Sequence, residues 1–181
     1  MKSIQISLTA KNYADALVKI GQDNVLSYSD ILYNLESVKE ICESSNEFDN
    51  VLKNPAVSDD VKYSIIDEVF KKDINEKIID FIKVLIEKKR FNEFNGIVEA
   101  YRDELDIINN IQRVSVTSAV PLNDDMKQRI TDKLQKRLQK NILADWQIDN
   151  EIIGGLVIKI NDDVIDSSLK NKLENLSKNL I

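Results

Sequence analysis

The spacing of apolar residues changes character once along this chain, near Asn110, and that change limits the folds open to it more than any other feature. Up to about Asn109 apolar side chains return every three or four residues, as with Ala10, Tyr13, Ala14 and Leu17, or Leu35, Val38, Ile41 and Cys42. That period places them on one stripe of an α-helix. Beyond Asn110 the period becomes two: Val114, Val116, Ser118 and Val120 alternate until Pro121 stops them, as in a strand. The chain therefore reads as two domains of different class, 1–109 and 110–181.

The first domain is expected to be a bundle of five or six helices. One helix carries Ala10 to Gly21, its small residues allowing a close neighbour, and a second runs from about Val25 to Cys42. After a short piece around Phe48 to Leu52, Pro55 breaks the chain. Ser58 is placed to cap a helix ending near Phe70, with Asp59 and Asp60 in the first turn, where the helix dipole favours acids. The next helix, Ile74 to about Lys89, has Ile78, Phe81, Ile82 and Leu85 on one side and Ile79 and Ile86 on another, an apolar surface broader than one core contact requires, which fits either a helix-in-groove partner site or the central helix of the bundle. A last helix follows from Phe91 to Leu105.

The second domain reads as a small α+β unit of β-α-β-β pattern. A helix is expected from about Asp124 to Lys140. Trp146 and Ile148 alternate, with Trp146 as a core anchor, and Leu156, Ile158 and Ile160 share one face of a further strand. Leu169, Leu173, Leu176 and Leu180 then recur at helical spacing to the end of the chain.

Only two prolines and four glycines occur in 181 residues, which favours long helices over loop-rich β architectures. There is no histidine and one cysteine, so an internal disulfide is excluded and zinc, haem and imidazole chemistry lose their main ligands. Cys42 is expected to be a buried thiol. The net charge of −6 is unevenly shared, with 14 basic against 21 acidic residues up to Asn109 and 11 against 10 beyond it. The N-terminal stretch lacks the apolar run of a signal peptide, and the most apolar window, residues 74–89, is broken by Asp80 and Lys83. A soluble, cytoplasmic protein is expected.

Two of the four glycines, Gly154 and Gly155, stand together before the most strand-like run. A phosphate-binding loop needs its glycines between a strand and a helix N-terminus with a lysine in reach, and neither the GxxxxGK[ST] nor the GxGxxG pattern occurs. The pair is expected to be structural, a turn or bulge needing positive φ or close backbone approach. No catalytic, cofactor or metal site is assigned. Asp59 with Asp60 and Asp162 with Asp163 are read as solvated or dipole-stabilised acids without a partner base.

The run IIGGLVIKI, followed by Asp163, Val164, Ile165, Asp166 and Ser168 and a leucine-striped terminal helix, resembles the C-terminal signature of the delta subunit of F-type ATP synthases, the family of the mitochondrial oligomycin-sensitivity-conferring protein. Three further stretches resemble the same family in the same order: residues 12–21, 53–62 and 85–105. Asn161 and Ser167 stand where the family commonly has glycine. Asn161 is a mild change because asparagine tolerates left-handed backbone.

The resemblance implies a non-catalytic stator subunit, monomeric within a hetero-oligomeric complex and peripheral to the cytoplasmic face of the bacterial inner membrane. It implies that the helical domain grips N-terminal segments of the alpha subunits of the catalytic head, in a groove between the first and fifth helices including Tyr13, Leu17, Ile78 and Ile82. It implies that the second domain engages the b subunits of the peripheral stalk, with Leu169, Leu173, Leu176 and Leu180 as the contact. No nucleic acid and no direct membrane insertion are expected. The competing reading is a nucleic-acid-associated adaptor using the basic helix 127–140, where Lys127, Arg129, Lys133, Lys136, Arg137 and Lys140 surround an Ile130, Leu134, Leu138 stripe.

Overall fold

The computed structural model describes residues 6–179, the side chains of 177–179 excepted. Its contacts divide the chain into two compact units, Met1–Leu105 and Asp106–Ile181. The expected class holds: a mainly helical first part is followed by a small α+β unit.

Helices α1 (Leu8–Gln22), α2 (Tyr28–Ser44), α3 (Asn46–Lys53), α4 (Asp59–Phe70), α5 (Glu76–Glu87) and α6 (Phe94–Ile108) make up the first part, with a 3-10 turn at Phe91–Glu93 leading into α6. Their starts follow capping chemistry. Ser7, Ser27, Ser45 and Asn75 each accept a hydrogen bond from a backbone N–H of the first turn, satisfying a donor the helix itself leaves open. Ser58 sits at the N-cap of α4 without such a bond, leaving Asp59 and Asp60 as its favourable first-turn charges.

The core of this unit is formed by the stripes read from the sequence, including Leu17, Ile31, Leu35, Ile66, Phe70, Ile78, Ile82, Leu85, Ile97 and Tyr101. Cys42 is buried in it as a free thiol, and burial pushes that thiol up to about 12. Gly21 is buried against the Tyr28 ring, the close approach that its size permits. Asn34 fixes α2 against the start of α5: its amide nitrogen donates to Asp30 O at 2.6 Å and its oxygen accepts from Asn75 N at 2.8 Å. Lys39 to Glu99 and Arg102 to Glu36, each at 2.6 Å, tie α2 to α6.

The second unit is a four-stranded sheet with one long crossover helix. Strand β1 (Ile111–Ser118) leads through α7 (Asp124–Leu138) to β2 (Asn141–Ile148), which pairs parallel with β1. After a 3-10 turn at Asn150–Ile152, β3 (Leu156–Ile160) returns antiparallel to β1 and forms a hairpin with β4 (Asp163–Asp166), giving the order β2-β1-β3-β4. Val114, Val116 and Leu134 form the buried cluster, with Ile130, Ile142, Ala144, Trp146 and Ile158 packed against it. Trp146 is half-buried there, pairing in register with Val116.

Three details depart from the sequence reading. Strand β4 was not anticipated. Val120 is not part of β1: the strand ends at Ser118, whose hydroxyl donates to Val120 O at 2.7 Å, and the valine stands exposed. Ile148, expected on a strand face with Trp146, ends β2 with its side chain exposed.

Candidate partner-binding surfaces

On the helical unit, α1 and α5 meet through Tyr13 and Phe81, whose rings lie 6.0 Å apart, edge to face at 73°. The four residues expected to line a groove there do not share one fate. Leu17, Ile78 and Ile82 are each 0 % exposed and belong to the core, because the stripe that bears them points into the bundle. As placed, they offer no side chain to a partner. Tyr13 is partly buried, with area left open. The surface of the pair is made instead by Tyr13, Phe81 and Val84, the last exposed and one turn beyond Phe81 on the same face of α5. Val84 escaped the sequence reading, although it is an apolar residue off the core stripe, which is the signal that marks it.

In the second unit the double glycine forms a joint. Gly155 has φ +86, and a Cβ there would fall inside the contact distance of Ser167 O and 3.1 Å from Ser168 Cα. Gly154 lies under Leu169, whose Cδ1 is 2.9 Å from where a Cβ would stand. Both reasons anticipated for these residues, positive φ and close approach, are present, one at each position. The preceding Ile153 has φ 66 and ψ −41, and Gly154 N donates to Ile152 O at 2.7 Å, so the chain turns through a γ-turn of the strained hand. For a β-branched residue such a conformation costs about 1–3 kcal/mol.

The joint holds the start of α8 (Leu169–Asn179). Leu169 N donates to Gly154 O and Ser167 N to Leu156 O, both at 2.9 Å. Ser168, buried, caps the helix by accepting from Asn171 N at 3.1 Å, while its own N–H donates to Asp166 Oδ1 at 2.8 Å. Hydrogen bonds from the Ser168 hydroxyl and N–H hold the Asp166 carboxyl below its usual range. The D-x-V-I-D-x-S run is therefore an edge strand that ends in a helix cap, and Asn161, at φ 53, makes the tight turn before it.

The leucine stripe of α8 is not packed on the sheet. Leu169, Leu173 and Leu176 are 47 %, 57 % and 59 % exposed, and Leu180 lies outside the described residues. Beside the joint, Val120, Met126 and Ile153, all exposed, join Leu122, Ile130 and Leu156 around an open groove of about 510 Å³ that also includes Gly154 and Gly155. Because Leu169 covers Gly154, the groove and the stripe form one apolar surface. The basic face of α7 is partly answered within its own first turns, by Asp124 for Lys127 at 3.8 Å and Asp125 for Arg129 at 3.2 Å.

A profile of the family described as ATP synthase delta (OSCP) subunit matches residues 9–180. The chain belongs to that family. The ATP synthase subunit delta of Chlorobaculum tepidum is 31% identical over 176 residues, covering 97% of this chain and 96% of its own, and that of Lachnoclostridium phytofermentans is 33% identical over 176 residues, covering 96% and 95%. Among solved structures, a chain of the Toxoplasma gondii mitochondrial ATP synthase hexamer superposes with a TM-score of 0.65 over 96% of this chain and 97% of its own, at 20% identity, which establishes the shared fold. Membership of the delta family carries a stator role in the F-type ATP synthase and a peripheral place in that complex. Among the described residues, no helix of this delta-family chain is long and apolar enough to cross a membrane.

Proposed function

We propose that this chain is a non-catalytic link between the catalytic head and the peripheral stalk, holding N-terminal segments of alpha subunits with residues 1–109 and the b subunits with residues 110–181, at the cytoplasmic face of a bacterial inner membrane. The observation that carries the reading is the open leucine stripe of α8. Its eleven residues are fewer than an isolated helix needs for stability in water, yet Leu169, Leu173 and Leu176 on its apolar face each stay about half exposed. A stripe at i, i+4 and i+7, continuous with the groove beside Gly154, is what a helical partner from a stalk packs against. For the alpha segment the seat is the α1–α5 surface, with Tyr13, Phe81 and Val84 as the contact and Leu17, Ile78 and Ile82 supporting it from below.

Burying the exposed half of each leucine is worth roughly 1 kcal/mol, so replacing Leu169, Leu173 and Leu176 together by serine should weaken b binding by about 3 kcal/mol, or roughly a hundredfold. The test titrates the full chain with the soluble part of b and, separately, with an alpha N-terminal peptide. The triple variant should lose b affinity, keep the parent's alpha affinity and keep its circular dichroism. Unchanged b binding removes α8 from the stalk contact. Equal loss toward both partners refutes separate sites.

A further inference from the structure

Three lysines of the helical unit, which is otherwise rich in acids, line one cavity of about 150 Å³: Lys53 at the end of α3, Lys62 in the first turn of α4 and Lys89 just past α5. Its apolar walls include Pro55, Ile86 and Phe91. Lys53 is compensated by Asp49 at 2.5 Å. Lys62 is 5 % exposed, and among the described residues no hydrogen bond or ion pair reaches its ammonium. Every fully occluded side-chain nitrogen in those residues has a partner, so the Lys62 ammonium keeps a sliver of open space. Lys62 is among the residues that line this cavity.

Nothing about helix stability explains that placement. A cation in a first turn faces the positive end of the helix dipole, and a buried ammonium without a counter-charge is costly. Lys89, exposed, has φ 55 at the end of α5, the left-handed position that glycine usually fills, and among the described residues no ion pair. Two lysines without an ion pair among the described residues, one buried and one exposed, thus line a cavity with a third, paired one.

We propose that this cavity is an oxyanion site and that its ligand is inorganic phosphate. A phosphate group near neutral pH carries about −1.5 to −2 charges, which matches the two unpaired lysines, whereas a single carboxylate leaves one of them unanswered. The cavity is smaller than the roughly 300 Å³ at which pockets for organic ligands begin, so a nucleotide does not fit and a tetrahedral anion does. Phosphate would supply the counter-charge that Lys62 lacks and would brace α3, α4 and the end of α5 against one another.

The test is calorimetric titration of the full chain with sodium phosphate, with sulfate and acetate at matched ionic strength as comparison, beside thermal melts in the same salts. Phosphate and sulfate should bind saturably in the millimolar range or tighter and raise Tm, while acetate does neither. Lys62→Met keeps the stem and removes the charge; it should melt no lower than the parent in chloride and bind phosphate roughly tenfold more weakly. Lys89→Gly suits the backbone there and should weaken phosphate roughly threefold. Absence of saturable phosphate binding, acetate binding as tight as phosphate, or parental affinity in both variants would overturn the assignment.

Discussion

At Gly155 a single added methyl group should do more damage than at the glycine beside it. With φ +86, an L-residue there carries about 1–2 kcal/mol of backbone cost. Its Cβ would also press on Ser167 O and stand 3.1 Å from both Ser167 C and Ser168 Cα, all backbone atoms of the link into α8. That link is fixed by Ser167 N to Leu156 O and Leu169 N to Gly154 O, so making room strains two hydrogen bonds worth about 1 kcal/mol each. Gly155→Ala should therefore cost roughly 3–4 kcal/mol, a large part of the 5–15 kcal/mol typical of a folded domain. Gly154→Ala meets only the Leu169 Cδ1 tip at 2.9 Å, which can swing aside for about 0.5–1.5 kcal/mol. The chain has one tryptophan, Trp146, and it lies in the second unit, so its fluorescence during urea unfolding reports that unit alone. The Gly155 variant should lower the urea midpoint several-fold more than the Gly154 variant. Equal midpoints for the two variants, or a Gly155→Ala change under about 1 kcal/mol, would refute the reasoning.

Leu17→Asp and Ile82→Asp each place an unpaired carboxylate at a position that is 0 % exposed, so each should cost about 3–5 kcal/mol and melt the helical unit; circular dichroism showing both variants folded at parental stability would mean those residues are not core. The Cys42 thiol, raised from 9.0 to about 12, keeps its proton in the folded chain while the unfolded chain releases it. Its stabilisation is complete below about pH 9 and falls by about 1.4 kcal/mol per pH unit as pH rises toward 12. The buried Tyr101 hydroxyl, also raised by burial, contributes in the same direction. Urea midpoints followed by circular dichroism at alkaline pH should decline less steeply in Cys42→Ala than in the parent, and identical slopes would exclude the thiol.

The helices were legible because a stripe of apolar residues at helical period survives translation into structure almost unchanged; the cap read from sequence, Ser58, stands at the start of α4 but makes no side-chain cap bond. The periodicity could not say which stripes are covered. Ile78 and Ile82 and the leucines of α8 have the same spacing, yet the first pair is buried and the second set stands open. That difference depends on which elements pack against each stripe, and no local pattern contains it. Strand β4 was hidden for a related reason: Asp163–Asp166 is short and largely exposed, and it exists through its pairing with β3 rather than through its own composition. Most of β2 was missed because an edge strand alternates half-covered Ile142 and Ala144 with exposed Asn141 and Leu143, a weak signal beside that of a central strand. The Lys62 cavity had no sequence signature, since its three lysines come from three different helix ends.

The two units differ in how far each completes its own core, and that difference bears on how a stator subunit is held together. The helical unit buries residues from all six of its helices in one cluster. The second unit has Val114, Val116 and Leu134 as its buried cluster, while Leu169, Leu173, Leu176, Val120, Met126 and Ile153 remain exposed. Apolar area left open in this way stabilises nothing until it is covered. A partner that binds only the folded form adds RT ln(1 + [L]/Kd), about 2.7 kcal/mol when it is present at about a hundred times its Kd. For the second unit that increment is large beside what so small a core supplies, so a partner that covers this surface raises the unit's stability as it binds. The strained γ-turn at Ile153 lies on the same surface and holds an apolar side chain that is 61 % exposed, so a partner covering the surface would bury it as well.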